Sequence, residues 1–76
     1  MDARLTLHMA DYFLNNVFPS KRAMAMKVGI SYRALLRLYN GKYTYQDVKN
    51  VMIGIGLYCL QEQIAPQDLF HGFCTT

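Results

Sequence analysis

The short segment "KVGIS" around Gly29 constrains the fold of this chain more than any other feature. Gly29 stands where a helix can end in a left-handed cap, because glycine adopts a positive φ at little cost. Ile30 can fill the inside of the turn that follows, and Ser31 is a favoured N-cap for a second helix. Apolar residues on both sides recur at helical rather than strand spacing. We therefore predict two helices, over residues 21–28 and 32–40, that meet at a tight turn.

Stop signals and caps define three more helices. The first is predicted over residues 3–17, because the residue before Pro19 is disfavoured in the helical region. A fourth follows Thr44, runs to about residue 63 and contains two glycines that weaken its middle. A short fifth helix is expected from Pro66 onwards. The chain is thus expected to be all-α, a compact five-helix bundle forming one domain over residues 1–76.

Thr44 also has the spacing of a capping box with Asp47. The threonine accepts from the third helical residue in such a box, and an acidic side chain at that residue accepts from the cap in return. Here Asp47 replaces the more usual glutamate. The pair predicts a sharply defined start for the fourth helix.

Positive charge is concentrated in one segment. Residues 21–42 hold six of the eight Lys and Arg residues and no Asp or Glu, whereas the rest of the chain carries two basic and five acidic residues. A solvated helix face would show this pattern only by chance, since such faces usually mix both signs. The asymmetry favours contact with a polyanion.

Several function classes lack their sequence signals. No paired carboxylates, Cys–His arrangement or phosphate-cradling glycine loop suggests catalysis, and the two Cys and two His residues match no zinc spacing. We expect no enzyme activity, no cofactor, no metal and no small-molecule ligand. The apolar run at residues 51–60 is half the ~20 residues that a membrane span needs, and no signal peptide is visible. These observations predict no membrane partner, a cytoplasmic location and reduced thiols.

The sequence "AMKVGISYRALLRLYNGK" resembles the helix-turn-helix of the Cro and phage-repressor type, the XRE or lambda-repressor-like family of bacterial and phage regulators. The resemblance covers residues 20 to about 70, with the helix-turn-helix at 20–41. The residues that carry it, all in register, are Ala25, Gly29, Ile30, Ser31, Leu35, Asn40, Gly41 and Lys42. It implies a lambda-repressor-like bundle that places its third helix in the major groove of double-stranded DNA.

The resemblance and the chemistry of the residues together assign two kinds of DNA contact. Base contacts are expected from one face of the third helix, namely from Tyr32, Arg33, Leu36 and Arg37. Phosphate contacts are expected around it, from Lys21, Lys27, Ser31, Asn40, Lys42 and Tyr43. Arginine can bind guanine O6 and N7 in bidentate fashion, and leucine can touch a thymine methyl group.

Two features depart from the family pattern. The first helix carries only one arginine, Arg4, and the fourth is long, while 53% of the chain is apolar. This surplus favours a homodimer formed through helix 1 or through helices 4 and 5, or both. The expected function is sequence-specific DNA binding by a transcriptional regulator, most simply a repressor that occludes a promoter. The alternative is a protein–protein interaction module, antitoxin-like or an accessory subunit, on the same fold.

Overall fold

The computed structural model describes residues 3–64, which form helices and contain no strand. In chain order the helices are α1 (Ala3–Asn16), α2 (Lys21–Val28), α3 (Tyr32–Asn40) and α4 (Tyr45–Glu62). The all-α prediction is confirmed for this part of the chain, and each helix begins and ends within about a residue of its expected position. The fifth helix, expected from Pro66, lies outside the described residues.

The turn between α2 and α3 has the geometry that its residues predict. Gly29 adopts φ 81°, and its N–H donates to the Ala25 carbonyl at 2.9 Å, which closes the last turn of α2. Ser31 then caps α3, its hydroxyl accepting from the Ala34 N–H at 3.2 Å. Gly41, at φ 75°, ends α3 in the same left-handed way. Both ends of α3 are therefore defined by local backbone chemistry.

The predicted capping box at the start of α4 is present. The Asp47 N–H donates to the Thr44 hydroxyl at 3.2 Å, and the Thr44 N–H donates to the Asp47 carboxylate at 3.0 Å. At the other end, Gln63 adopts a left-handed conformation with φ 57°. The helix that lies between these caps is 18 residues long and contacts each of the other three.

One hydrophobic core joins all four helices. Its largest fully buried side chains include Phe13 from α1, Met24 from α2, Leu35 from α3 and Ile55 from α4. The ring of Phe13 also belongs to an aromatic cluster with Phe18 and Tyr58, whose ring centroids lie 5.7 to 5.9 Å apart. Aromatic pairs at such distances contribute beyond the area they bury. The cluster holds the segment after α1 against α4.

Gly54 permits the closest approach between α4 and the turn. A Cβ atom at this position would overlap the Cγ2 methyl of Ile30 and would also lie 3.6 Å from Cγ1 of Val28. Ile30 is itself buried, so it has little room to move away. Gly54, which weakens the helical pattern in the sequence, is therefore the position at which the α2–α3 turn packs closely against α4.

Candidate nucleic-acid interface

The α3 helix has a buried face and an outer face. Ala34, Leu35 and Leu38 are buried, whereas Arg33 is exposed near the start of the helix. The other predicted base-contact residues, Tyr32, Leu36 and Arg37, are half-buried. The 3.6-residue period predicts this division correctly. Arg33 is consequently the most accessible side chain of the four.

The N-terminus of α3 is held by α4 as well as by its own cap. The Ser31 N–H donates to Oδ1 of Asn50 at 3.1 Å. Together with the packing of Ile30 on Gly54, this bond fixes the turn at two points along one helix. Sequence patterns do not indicate this role for Asn50, because its partner lies 19 residues away and no local pattern links them.

A two-point ion pair connects the last turn of α3 to the first turn of α4. Nε and one Nη of Arg37 donate to the two carboxylate oxygens of Asp47 at 2.7 and 2.6 Å. The Asp47 side chain is 6% exposed, while that of Arg37 is 41% exposed. Donation from Arg37, with help from the Thr44 N–H, holds the pKa of Asp47 well below its usual range. The same hydrogen bond stabilises the charged form of Arg37 and so raises the pKa of Arg37.

This ion pair bears directly on the predicted role of Arg37. A guanidinium has five N–H donors in a rigid fork, and the bidentate pair with Asp47 occupies one edge of that fork. A base contact that needs the same edge would have to break the pair and leave the buried carboxylate without its main donor. The arrangement fits Arg37 as a residue that fixes α3 against α4 better than as a free base-contact residue.

Two cation–aromatic contacts lie beside α3. Nζ of Lys21 sits 4.5 Å from the ring centroid of Tyr39, and the Tyr39 hydroxyl donates to the carboxylate of Asp11. The guanidinium carbon of Arg22 lies 4.5 Å from the ring centroid of Tyr32. Both distances are within the range of cation–π attraction. They hold two cations of α2 close to the two ends of α3.

The predicted phosphate-contact residues come from α2, from the two ends of α3 and from the residues just after it. Five are exposed, namely Lys27, Ser31, Asn40, Lys42 and Tyr43. Tyr43 is 43% exposed, and Lys21 is half-buried against Tyr39. Arg22 is an additional exposed cation that was not among the predicted contacts, although its place in the basic segment was a signal for it. Of the acidic side chains near these cations, Asp47 is buried and Asp11 is half-buried.

No family model matches the chain, and no curated protein or solved structure matches it either. Within residues 3–64, no group of histidine, cysteine or acidic side chains is arranged to hold a metal ion. In the same range, none of the helices has both the length and the apolar character that crossing a membrane requires.

Proposed function

We propose that this protein is a sequence-specific, double-stranded DNA-binding transcriptional regulator in which α2 and α3 form a helix-turn-helix. In this proposal the fold is of the lambda-repressor type, and α3 enters the major groove with its first turns. The observation that carries the proposal is the combination of a doubly anchored turn with exposed cations on α2, on α3 and just after it, namely Arg22, Lys27, Arg33 and Lys42. Occlusion of a promoter is the simplest mechanism, which makes repression the expected outcome.

Electrostatics supports a nucleic-acid partner. The exposed cations Arg22, Lys27, Arg33 and Lys42 all come from one segment of the chain. The carboxylates nearest to this segment, those of Asp11 and Asp47, accept hydrogen bonds inside the protein. The surface therefore presents positive charge with little local compensation. Binding through such a surface releases counterions from DNA and is steeply salt-dependent.

The anchoring of α3 supports sequence-specific rather than merely electrostatic binding. A side chain can discriminate bases only if the backbone that carries it is held in a fixed orientation. The α3 helix is fixed by Asn50 at its N-terminus and by Asp47 at its C-terminal half. We assign the main base contact to Arg33, with Tyr32 and Leu36 along the same face. Arg37 is assigned to positioning.

A protein-interaction module is the second candidate function. It is favoured by one specific observation, the exposure of large apolar side chains such as Met26 and Leu60, each 78% exposed. An interaction module would use apolar surface to bind a protein, and its basic face would meet an acidic partner. The two functions differ in whether the isolated protein binds DNA.

The test uses purified full-length protein on random-sequence duplex, in a mobility-shift titration at low and at moderate salt. We expect retention at low salt that weakens steeply as salt rises. Lys42→Gln should lower the slope of log affinity against log salt by about 1, since one phosphate contact is lost. Lys49→Gln is the matched control, because Lys49 lies on α4 outside the basic segment, and its slope should equal that of the wild type.

Two results would contradict the proposal. Absence of retention at low salt would favour the interaction module. Equal effects of the two lysine substitutions would mean that binding is not localised to the α2–α3 surface. Selection from a random duplex library, followed by sequencing, then supplies the bound sequence and its symmetry.

A further inference from the structure

The α4 helix is apolar on two opposite faces, and only one of them is covered. Its inner face packs into the core through Val48, Val51, Ile55 and Cys59. The opposite face, which we call the outer stripe, consists of Ile53, Gly56, Leu57 and Leu60. The three large side chains of this stripe are 46%, 62% and 78% exposed, respectively. Contiguous exposed apolar side chains on a monomer commonly mark an interaction surface, so something is expected to cover the outer stripe.

The spacing of the outer stripe is that of a helix-packing seam. Ile53, Leu57 and Leu60 follow one another at intervals of four and three residues. Alternation of three and four is the pattern through which one helix packs along another. Gly56 lies within the stripe and has no atom within 4 Å of where its Cβ would be. A glycine there lets a second backbone come close.

We propose that the outer stripe of α4 is the surface on which a second copy of this chain docks, with the two α4 helices crossing near Gly56. The stripe itself carries no charge. Of the residues beside it, Asn50 and Gln61 are polar but uncharged, whereas Lys49, four residues before Ile53, places a positive charge at its N-terminal end. In an antiparallel pair the two Lys49 residues would lie at opposite ends of the interface, so the central part of the surface has no like charges facing one another. It is complementary to itself, as a twofold interface requires.

The geometry of a twofold axis explains where the residues lie. If the helices run antiparallel across an axis near Gly56, Ile53 of one copy faces Leu60 of the other. The two Leu57 side chains then flank the axis. The glycine falls at the crossing point, where the backbones are closest. Each apolar side chain of the stripe thereby gains an apolar neighbour, and no charge is buried.

The size of the stripe determines the strength of the association. A standard interface buries about 800 Å² per partner, which is more than three partly exposed side chains can provide. The dimer is therefore expected to be weak and in exchange with monomer. This inference does not depend on DNA binding, because the contact involves α4 alone and neither the basic segment nor α3.

The experiment measures molecular mass by sedimentation equilibrium of the full chain, without DNA, across a wide range of protein concentration. The wild type should shift from monomer towards dimer as concentration rises. Leu60→Glu should remain monomeric throughout. The matched control is Met26→Glu, because Met26 on α2 has the same 78% exposure as Leu60 and receives the same added charge. Met26→Glu should dimerise as the wild type does.

A second variant separates association from folding. Gly56→Arg puts a bulky, helix-favouring side chain at the crossing point, where no atom of its own chain is in the way. It should be a folded monomer, with helicity by circular dichroism at least equal to that of the wild type. A dimer that survives Gly56→Arg or Leu60→Glu would overturn the proposed surface. So would loss of the dimer in Met26→Glu.

A wild type that is monomeric at every concentration would also overturn the proposal. In that case the thermal stability of Leu57→Glu identifies the alternative occupant. A lowered melting temperature would mean that the chain's own residues 65–76 cover the stripe, whereas an unchanged one would leave the surface for a different protein. Failure of DNA binding in the mobility-shift test would leave these mass measurements unaffected, so the two proposals fail independently.

Discussion

Arg33 and Arg37 lie one helical turn apart on α3, yet their surroundings differ. Arg33 is exposed, and in the proposed complex its side chain would reach a base in the groove. Arg37 is bound through two hydrogen bonds to Asp47, a carboxylate that also caps α4. The two arginines look equivalent in sequence and are not equivalent in structure. The difference leads to opposite expectations for the same substitution at the two positions.

Arg33→Ala should reduce binding to a selected DNA site by about 1–3 kcal/mol and relax the preference at one base pair, with no change in melting temperature. Arg37→Ala should lower the melting temperature, because it leaves the buried Asp47 carboxylate without its main donor. Thermal unfolding and binding to the selected site are measured on both proteins. A stable Arg37→Ala protein that loses preference at one base pair would restore Arg37 as a base-contact residue.

Tyr39 gives a pH dependence whose sign follows from its environment. Burial, and then the hydrogen bond to Asp11, raise the pKa of Tyr39 above its usual range. The unfolded tyrosine ionises near pH 10, whereas the folded one stays protonated. The stabilisation from Tyr39 is therefore complete below about pH 10 and is lost as pH rises above it.

Tyr39→Phe should remove this dependence. The difference in unfolding free energy between wild type and Tyr39→Phe, from urea titrations at pH 8 and pH 11, should be smaller at pH 11. Tyr45→Phe is the control, since it removes a hydroxyl from a side chain that is 66% exposed. An equal difference at both pH values for Tyr39→Phe would show that its hydroxyl is not held in the neutral form.

At the scale of the helices, local signals were sufficient to predict boundaries. The caps Ser20, Ser31 and Thr44 and the glycines at 29 and 41 each act through bonds within a few residues, so their effect can be inferred from sequence. Contacts between helices could not be inferred in this way. The pair Arg37–Asp47 and the bond from Ser31 to Asn50 depend on how α3 lies against α4, which no short pattern specifies.

The two glycines of α4 also show that contacts between helices cannot be inferred from sequence. From sequence alone both appear as weak points in a helix. In the structure, Gly54 is in contact with Ile30, whereas Gly56 faces open space. One residue type therefore serves two different purposes two positions apart, and only the position of the neighbouring helices distinguishes them.

Gly54→Ala and Gly56→Ala should consequently change stability in opposite directions. At Gly54, overpacking against Ile30 costs about 1–3 kcal/mol, which is expected to outweigh the gain of up to about 1 kcal/mol in helix propensity. At Gly56, the propensity gain acts alone, and we expect stabilisation by about 0.5–1 kcal/mol. Urea unfolding at low protein concentration, where self-association contributes least, measures both. A stabilised Gly54→Ala would mean that Ile30 can reorient freely.

For the molecule as a whole, the two proposed surfaces belong to different elements. The basic α2–α3 surface would bind DNA, and the outer stripe of α4 would bind a second copy of the chain. No residue of the stripe belongs to α2 or α3, so the two proposed contacts do not compete for the same side chains. Two recognition helices related by a twofold axis would then meet half-sites about 34 Å apart, one turn of the DNA helix.

This arrangement predicts how affinity depends on the number of half-sites. A weak protein dimer gains from DNA that holds both copies, since the second half-site is then bound intramolecularly, an effect that can raise affinity by 10²–10⁴. The wild type should therefore bind a two-half-site duplex far more tightly than a duplex with one. Leu60→Glu, unable to pair, should bind the single half-site as the wild type does and lose most of the advantage on the double site.

Fluorescence-anisotropy titrations of both proteins on both duplexes measure this difference. Spacing supplies the control: insertion of five base pairs between the half-sites turns one of them to the opposite side of the helix, and the wild-type advantage should disappear. An advantage that persists in Leu60→Glu would mean that two copies meet through another face. If the wild-type advantage instead survives the inserted base pairs, the two copies are not held in a fixed twofold arrangement. That result would contradict the proposed crossing of the two α4 helices near Gly56.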